Sequence, residues 1–92
     1  MLIEYDTGKN SRNIAERGLS FERAVEFDFG SAKIWQDTRY AYSQARFIAL
    51  GYLEKRLHVL CFCELADGIR IISFRKANPR EGEKHGFTLT CD

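Results

Sequence analysis

The sequence lacks the long apolar stretch that a membrane-spanning helix requires. Its two longest uncharged apolar runs, residues 47–53 and 57–63, fall far short of the ~20 residues that cross a bilayer as a helix. The first residues, Met-Leu-Ile-Glu-Tyr-Asp, also lack the basic start and extended apolar core of a signal peptide. We therefore expect a cytoplasmic protein that does not associate with a membrane.

The chain also has little net charge, which excludes one class of nucleic-acid-binding protein. Fourteen basic and thirteen acidic side chains give a formal charge of +1, which is too small for binding through overall positive charge. The charges are nevertheless placed unevenly. Residues 1–29 carry four basic and six acidic side chains, whereas residues 70–92 carry five and three. A cationic surface is therefore expected close to the C-terminal end of the chain.

Cysteine is scarce as well. Cys61 and Cys63 are two positions apart in an apolar stretch, so they share one face of a predicted strand, and Cys91 is left over. This spacing matches no metal-ligand pattern, and the odd number does not favour a disulfide framework. We expect reduced core thiols and neither a metal nor another cofactor. The length of 92 residues and the apolar fraction of 45% predict one domain over residues 1–92.

The most informative segment is residues 70–76, which runs an apolar strand into a cationic end. Strict alternation of side chains would place Ile71 and Arg75 on one face of this strand, and Phe74 and Lys76 on the other. Both faces would then end in a cation.

A helix start follows this strand. Asn78 is typical of a helix N-cap, and Pro79 is typical of the first helical position. The backbone N–H groups of that turn would point toward the region of Arg75, Lys76 and Arg80, which favours a phosphate as ligand. The alternative is that these cations are solvated residues that end an ordinary strand.

The rest of the chain predicts an α+β domain with an antiparallel meander, two N-terminal helices and a short C-terminal helix on one side of the sheet. The predicted elements are a strand at residues 2–5, a helix capped by Asp6 or Thr7 that runs to about Arg17 and ends at Gly18, a second helix opened by Ser20, strands at residues 32–36, 45–52, 57–64 and 69–76 with a hairpin turn at Asp67-Gly68, and a helix from Asn78. Ile14 and Ala15 are expected to form the apolar stripe of the first helix.

Three blocks of the sequence resemble a known family. They are the pattern from Asp6 to Ala24 that includes Arg17-Gly18-Leu19-Ser20-Phe21-Glu22, the segment Ala45-Arg46-Phe47-Ile48-Ala49-Leu50-Gly51, and the segment Ile69-Arg70-Ile71-Ile72-Ser73-Phe74-Arg75-Lys76-Ala77 followed by Arg80-Glu81. These blocks are similar, in the same order, to the BrnT toxins, which belong to the wider RelE-like group of bacterial toxin ribonucleases. The resemblance covers residues 3 to about 85.

The resemblance implies a RelE-like α+β fold, endoribonuclease activity that inhibits growth, and a co-expressed antitoxin. By likeness, the partner is a BrnA-like ribbon-helix-helix protein, and promoter DNA is contacted only indirectly, through that antitoxin. Two departures bear on function. Arg17 stands where the family usually has His, and Gln44 stands where it usually has a Glu that we expect to orient Arg46.

Arginines are the candidate catalytic residues, because cleavage of RNA by its 2′-hydroxyl group places extra negative charge on the phosphoryl oxygens. We assign this role to Arg46, Arg75 and Arg80, and we expect the meander to bring Arg46 beside Arg75 on a neighbouring strand. The alternative for Arg46 is a solvated strand end or an ion pair with Glu64. The candidate RNA-binding residues are Arg70, Lys76 and Gln44.

The sequence identifies no general acid or base. His58 lies in an apolar strand, His85 is expected to be a polar residue at a helix end, and Glu81 has arginines nearby. Two interpretations therefore stay open. One is a metal-independent endoribonuclease toxin; the other is a catalytically weak or inactive module that mainly binds its antitoxin.

Overall fold

The computed structural model describes residues 1–90 of the chain. Its elements are the strands β1 (Leu2–Tyr5), β2 (Lys33–Gln36), β3 (Phe47–Leu53), β4 (Arg56–Leu65) and β5 (Gly68–Lys76), the helices α1 (Thr7–Arg17) and α2 (Pro79–Lys84), and a 3₁₀ helix at Phe21–Glu26. No helix in residues 1–90 is long and apolar enough to cross a membrane.

The five strands form one sheet in the order β1-β5-β4-β3-β2. Strands β2 to β5 are the predicted antiparallel meander, because short turns join β3 to β4 and β4 to β5. β1 differs from this pattern, since it pairs parallel to β5 at the edge of the sheet. The fold is therefore α+β with a mixed sheet. The sequence did not predict the parallel strand pair at its edge.

A glycine makes the parallel edge possible. Gly68 pairs with Leu2, and a Cβ atom at Gly68 would lie 1.9 Å from the carbonyl oxygen of Leu2. No side chain fits there, so Gly68 allows the two backbones to approach.

Helix α1 has the predicted caps. The carboxylate of Asp6 accepts the backbone N–H of Lys9, and Gly18 adopts the left-handed conformation at φ 63°. The predicted apolar stripe was wrong, because α1 has no buried residue and Ile14 is 46% exposed. The helix is instead attached through the amide of Asn13.

The attachment of α1 is polar. Asn13 Nδ2 donates to the carbonyl oxygens of Leu19 and Phe74, both at 2.9 Å, and Asn10 Oδ1 accepts the backbone N–H of Phe21 at 2.7 Å. The bond to Phe74 satisfies a backbone acceptor of β5 beyond the end of β1. Two asparagines thus hold α1 against the sheet edge.

The second predicted helix is only a 3₁₀ helix. Ser20 caps it, as predicted, and Phe21 and Ala24 are buried. Val25 is 64% exposed, however, and the chain leaves the helix at Phe27, whose N–H bonds the carbonyl of Ala24. The 3₁₀ helix has only six residues, and the chain that leaves it must place Phe27 in the core. The segment therefore does not form the continuous apolar stripe of an α-helix.

The sheet is covered on both faces, which corrects the prediction that all helices lie on one side. One core cluster, around Leu60 and Phe74, includes buried residues of the 3₁₀ helix. The other cluster, around Leu50 and Leu57, packs against Phe87 and the segment that follows α2. Helix α2 is therefore separated from the 3₁₀ helix by the sheet.

A β-bulge changes the alternation along β5. Phe62 of β4 pairs with Ile71 and Cys61 pairs with Ser73, so Ile72 is an extra residue. Ile71 and Phe74 consequently both belong to the first core cluster, although strict alternation would place them on opposite faces. The prediction that Ile71 and Arg75 share a face was wrong for this reason.

The structure describes two of the three predicted thiols, and the C-terminal tail as far as Thr90. Cys61 and Cys63 are free, with Cys63 buried, and burial raises the pKa of Cys61. Cys91 lies outside the described residues. The segment after α2 docks, because the N–H of Leu57 donates to the carbonyl of Leu89 and Thr90 bridges to Arg56.

Candidate active site

A cleft of about 350 Å³ lies on the face of the sheet that carries α2. Its floor is formed by side chains of β3, β4 and β5, and its walls are formed by α2, Trp35 and the loop before β3. The polar and aromatic lining residues are Trp35, Asp37, Arg39, Tyr42, Arg46, Cys61, Ser73, Arg75, Glu81 and His85.

An arginine–glutamate pair spans the cleft from β5 to α2. Arg75 donates from Nη1 to Glu81 Oε1 at 2.8 Å and from Nη2 to Oε2 at 2.7 Å. This bidentate contact raises the pKa of Arg75 and lowers the pKa of Glu81. Glu81 is therefore an ionised carboxylate with a fixed orientation.

The start of α2 explains why Glu81 is so well placed. Asn78 Oδ1 accepts the N–H of Glu81 at 2.8 Å, and Glu81 Oε1 accepts the N–H of Asn78 at 2.9 Å. This capping box holds the Glu81 backbone and side chain together. The first-turn donor that we expected to face a phosphate is thus already satisfied within the protein.

A second network holds Arg46 in the loop wall. The guanidinium of Arg46 lies over the ring of Tyr42, 4.3 Å from its centroid. Tyr42 in turn donates its hydroxyl to Asp37 Oδ2 at 2.9 Å. Arg39 donates from Nε and Nη2 to the two oxygens of Asp37, each at 2.9 Å.

Asp37 anchors this network from a buried position. Its side chain is 2% exposed, and the hydrogen bonds from Arg39 hold its pKa far below the ordinary range. The pKa of Tyr42 is raised, first by desolvation and then by its bond to Asp37. The protonated phenol and the ionised carboxylate thus stay matched as donor and acceptor, and Tyr42 keeps the ring on which Arg46 rests.

The remaining wall is an aromatic stack. The ring of His85 lies 4.7 Å from that of Trp35, with 21° between their planes. His85 is the C-cap residue directly after α2, four residues beyond Glu81, and both side chains line the cleft. The cleft therefore combines two carboxylates, one imidazole and three guanidinium groups, of which Asp37 and Arg39 are paired with each other.

Comparisons with known proteins identify the family of the chain. A sequence model of the family described as the ribonuclease toxin BrnT of type II toxin-antitoxin systems matches residues 5–81. The chain is a member of the BrnT family. A similar structure is the crystal structure of the Brucella abortus ribonuclease toxin BrnT, with a TM-score of 0.63, 26% sequence identity, and coverage of 83% of this chain and 95% of that chain. A search among curated proteins finds no significant match.

Membership of the BrnT family makes the chain the toxin component of a type II toxin–antitoxin system, with ribonuclease activity. It also implies an RNA substrate and a protein antitoxin as partners.

The cleft contains two of the three arginines that the sequence indicated as catalytic. Arg46 and Arg75 both line it, but they do not lie on neighbouring strands, contrary to our expectation. Arg46 lies in the loop just before β3, and β4 lies between β3 and β5. Arg80 is exposed on α2 and is not among the lining residues.

The predicted RNA-binding residues lie elsewhere. Arg70 forms an ion pair with Glu4 of β1, at the other end of β5 from Arg75. Lys76 lies on the opposite face of the sheet from Arg75. Gln44 donates from Nε2 to the carbonyl oxygen of Glu64 at 3.2 Å, and within residues 1–90 it accepts no hydrogen bond from Arg46.

Sequence reasoning gave no role to several residues of the cleft. Glu81 was recognisable from the spacing Asn-x-x-Glu of a capping box, and His85 from its position four residues later. Asp37 and Arg39 gave no signal, because their importance depends on how the loop folds back. Within residues 1–90, no group of three or more His, Cys, Asp or Glu side chains is placed to hold a metal ion.

Proposed function

We propose that this cleft cleaves RNA without a metal ion, by attack of a ribose 2′-hydroxyl group on the adjacent phosphate. The observation that carries the proposal is the Arg75–Glu81 pair, which places an ionised carboxylate and a guanidinium side by side in a cleft. A phosphate bound there would meet a proton acceptor and a cation together.

Glu81 is the proposed general base. Arg75 and Asn78 occupy two sites on Oε1, whereas Arg75 alone bonds Oε2, so Oε2 keeps a lone pair for the 2′-hydroxyl proton. The lowered pKa of Glu81 keeps it ionised at neutral pH. The proton moves to Glu81 as the 2′-oxygen forms its bond to phosphorus.

His85 is the proposed general acid, because its imidazole lines the same cleft as Glu81 and a ring nitrogen can donate a proton. As the bond from phosphorus to the 5′-oxygen breaks, His85 donates a proton to that oxygen. The products are a 2′,3′-cyclic phosphate and a 5′-hydroxyl group, and no water is consumed. Stacking on Trp35 fixes the plane of the imidazole.

Arg46 and Arg75 are proposed to stabilise the charge that develops on the phosphoryl oxygens. Arg80, exposed on α2, is proposed to contact a flanking phosphate. Tyr40 is 68% exposed beside Tyr42, so it offers a ring on which an unpaired base stacks. Arg70, Lys76 and Gln44 have no place in this mechanism.

We also infer the finer identity of the partner and the grouping. A BrnA-like ribbon-helix-helix antitoxin, through which the toxin reaches promoter DNA, is supported by the resemblance in sequence. A RelE-like grouping is supported by the meander with a cationic cleft on one face. The site of action would be the cytoplasm, where the RNA substrate is found.

One observation favours the second candidate function, a weakly catalytic module that mainly binds its antitoxin. Arg75 already makes two bonds to Glu81, so a phosphate must compete with a carboxylate for the same guanidinium. Such competition would slow cleavage. The same assay separates the two functions.

The test is cleavage of RNA by the purified, antitoxin-free toxin in EDTA, with the products analysed for 2′,3′-cyclic phosphate ends. Glu81→Gln and His85→Asn should each reduce the rate by about 10²–10⁴-fold. Glu83→Gln is the matched control, since Glu83 is exposed on the same helix and does not line the cleft. Loss of wild-type cleavage in EDTA, or full activity of Glu81→Gln, would refute the mechanism.

A further inference from the structure

A second, larger cleft of about 660 Å³ lies on the opposite face of the sheet. We call it the reverse cleft and define it by Arg17, Leu19, Leu53, Arg56, His58 and Lys76. It shares no lining residue with the candidate active site. The ribonuclease mechanism therefore leaves it without a role.

The reverse cleft carries unneutralised positive charge. Within residues 1–90, neither Arg17 nor Lys76 forms an ion pair with a carboxylate. Arg56 is oriented by neutral groups, because it donates to the carbonyl oxygens of Leu57 at 2.8 Å and Ala77 at 3.0 Å. Glu54 and Arg23 also line the cleft, but they form an ion pair with each other. Arg17, Arg56 and Lys76 therefore face this space without a carboxylate partner, which attracts an anionic ligand.

A buried histidine adds an acceptor to these cations. His58 is 4% exposed, and its Nδ1 donates to the carbonyl oxygen of Arg56 at 2.7 Å. A carbonyl only accepts, so Nδ1 carries the proton and Nε2 of the neutral ring has a lone pair. Burial lowers the pKa of His58, which maintains the neutral form.

Within residues 1–90, the Nε2 atom of His58 has no hydrogen-bond partner. Every buried side-chain nitrogen or oxygen atom in that part of the chain does have one. Nε2 must therefore be accessible, and His58 lines the reverse cleft. The cleft offers cations for an anion and one acceptor for an N–H or O–H group.

The apolar floor distinguishes between a peptide and RNA. Leu19 and Leu53, 5% and 3% exposed, form this floor, and no Phe, Tyr or Trp is among the described lining residues. Unpaired RNA bases bind by stacking on aromatic rings. An acidic peptide instead supplies carboxylates for the cations, a backbone N–H for His58 and an aliphatic side chain for the leucines.

We propose that the reverse cleft binds an acidic segment of the antitoxin, separately from the catalytic cleft. This proposal rests on membership of a toxin–antitoxin family, but not on the roles assigned to Glu81 and His85. The antitoxin would then hold the toxin by two surfaces, of which only one overlaps the RNA site.

The test uses the full-length toxin and the antitoxin encoded beside it, with affinity measured by calorimetry. Arg17→Glu should weaken binding at least tenfold while the rate of RNA cleavage by the free toxin is unchanged. Lys33→Glu, an equal charge change on exposed β2, should leave affinity unchanged. Arg17 is exposed at the end of α1, so the variant should fold, as circular dichroism would verify.

A second variant tests the acceptor. His58→Phe keeps a ring but removes Nε2, and it should also weaken antitoxin binding. Unchanged affinity in Arg17→Glu would overturn the proposal, as would a raised KM for RNA with unchanged antitoxin affinity, which would assign the cleft to RNA. If the toxin cleaves no RNA at all, the catalytic mechanism fails, but the antitoxin affinities still decide this question.

Discussion

Replacement of Arg75 by alanine tests the catalytic cleft most directly, because it should change both activity and stability. The sequence alone indicates a surface cation that is removable with little effect on folding. In the structure the side chains of Arg75 and Glu81 are only 36% and 29% exposed, and they share two hydrogen bonds. Arg75→Ala therefore removes a structural contact as well as a proposed catalytic group.

The size of each effect follows from these contacts. Hydrogen bonds between charged groups contribute roughly 1.5–3 kcal/mol each when they are protected from water, but solvent at this partly exposed pair reduces the total to about 1 kcal/mol. A loss of about 1 kcal/mol lowers the Tm of a domain of this size by roughly 4–8 °C. Loss of one positioned donor should slow RNA cleavage by about 10²–10³-fold.

The stability effect has a defined pH dependence. Arg75 lowers the pKa of Glu81 in the folded protein below its ordinary value of 4.5. The pair's contribution is therefore fully present above pH 4.5 and is lost as the pH falls through the lower, folded-state pKa. The difference in Tm between wild type and Arg75→Ala should be largest near neutral pH and should shrink below pH 4.5.

Thermal unfolding followed by circular dichroism between pH 7 and pH 3, with cleavage rates at 20 °C, measures both effects. Arg12→Ala is the control, since Arg12 is exposed on α1. An Arg75→Ala toxin with wild-type cleavage would refute the catalytic role. A Tm difference that stays constant down to pH 3 would refute the ion-pair explanation of stability.

Two further predictions concern the sheet and its loops. The family resemblance suggests that Gln44→Glu should raise the rate of RNA cleavage several-fold. In the structure, however, the amide of Gln44 donates to the carbonyl of Glu64, which a carboxylate cannot do. We therefore expect Gln44→Glu to cleave RNA at a rate within about twofold of wild type. A several-fold increase would show that residue 44 reaches Arg46 when RNA binds. Gly68→Ala should destabilise the protein by about 1–3 kcal/mol in urea unfolding, because its Cβ would collide with the carbonyl of Leu2. Gly8→Ala, at an exposed position of α1, serves as the control, and equal stabilities of the two variants would contradict the predicted collision.

Local signals predicted the elements of this fold well, and long-range pairing was harder to predict. Asp6, Gly18, Ser20 and Asn78 cap helices where their chemistry indicated. The pairing of β1 with β5 could not be read from the sequence, because nothing local distinguishes a parallel edge strand from an antiparallel one. The bulge at Ile72 was equally hidden, since the segment keeps a strand-like composition whether or not one residue is extra.

The candidate site was predictable in part for the same reason. Arg46 and Arg75 were found because cations at strand ends and the family resemblance point to them. The sequence gives little reason to assign a catalytic role to Glu81, because a nearby arginine indicates a simple ion pair. The link from Asp37 through Tyr42 to Arg46 could not be predicted, since the loop that forms it has no periodic pattern.

The position of β1 has a consequence for how the toxin is synthesised. Leu2 is made well before its partner Gly68, which follows 66 positions later, and Arg75, Glu81 and His85 come later still. The growing chain therefore cannot close the β1 edge of the sheet, or bring together the proposed base, the proposed acid and Arg75, until the segment from Gly68 to His85 has been made. We expect a chain interrupted before residue 75 to lack the proposed catalytic cleft and to cleave no RNA.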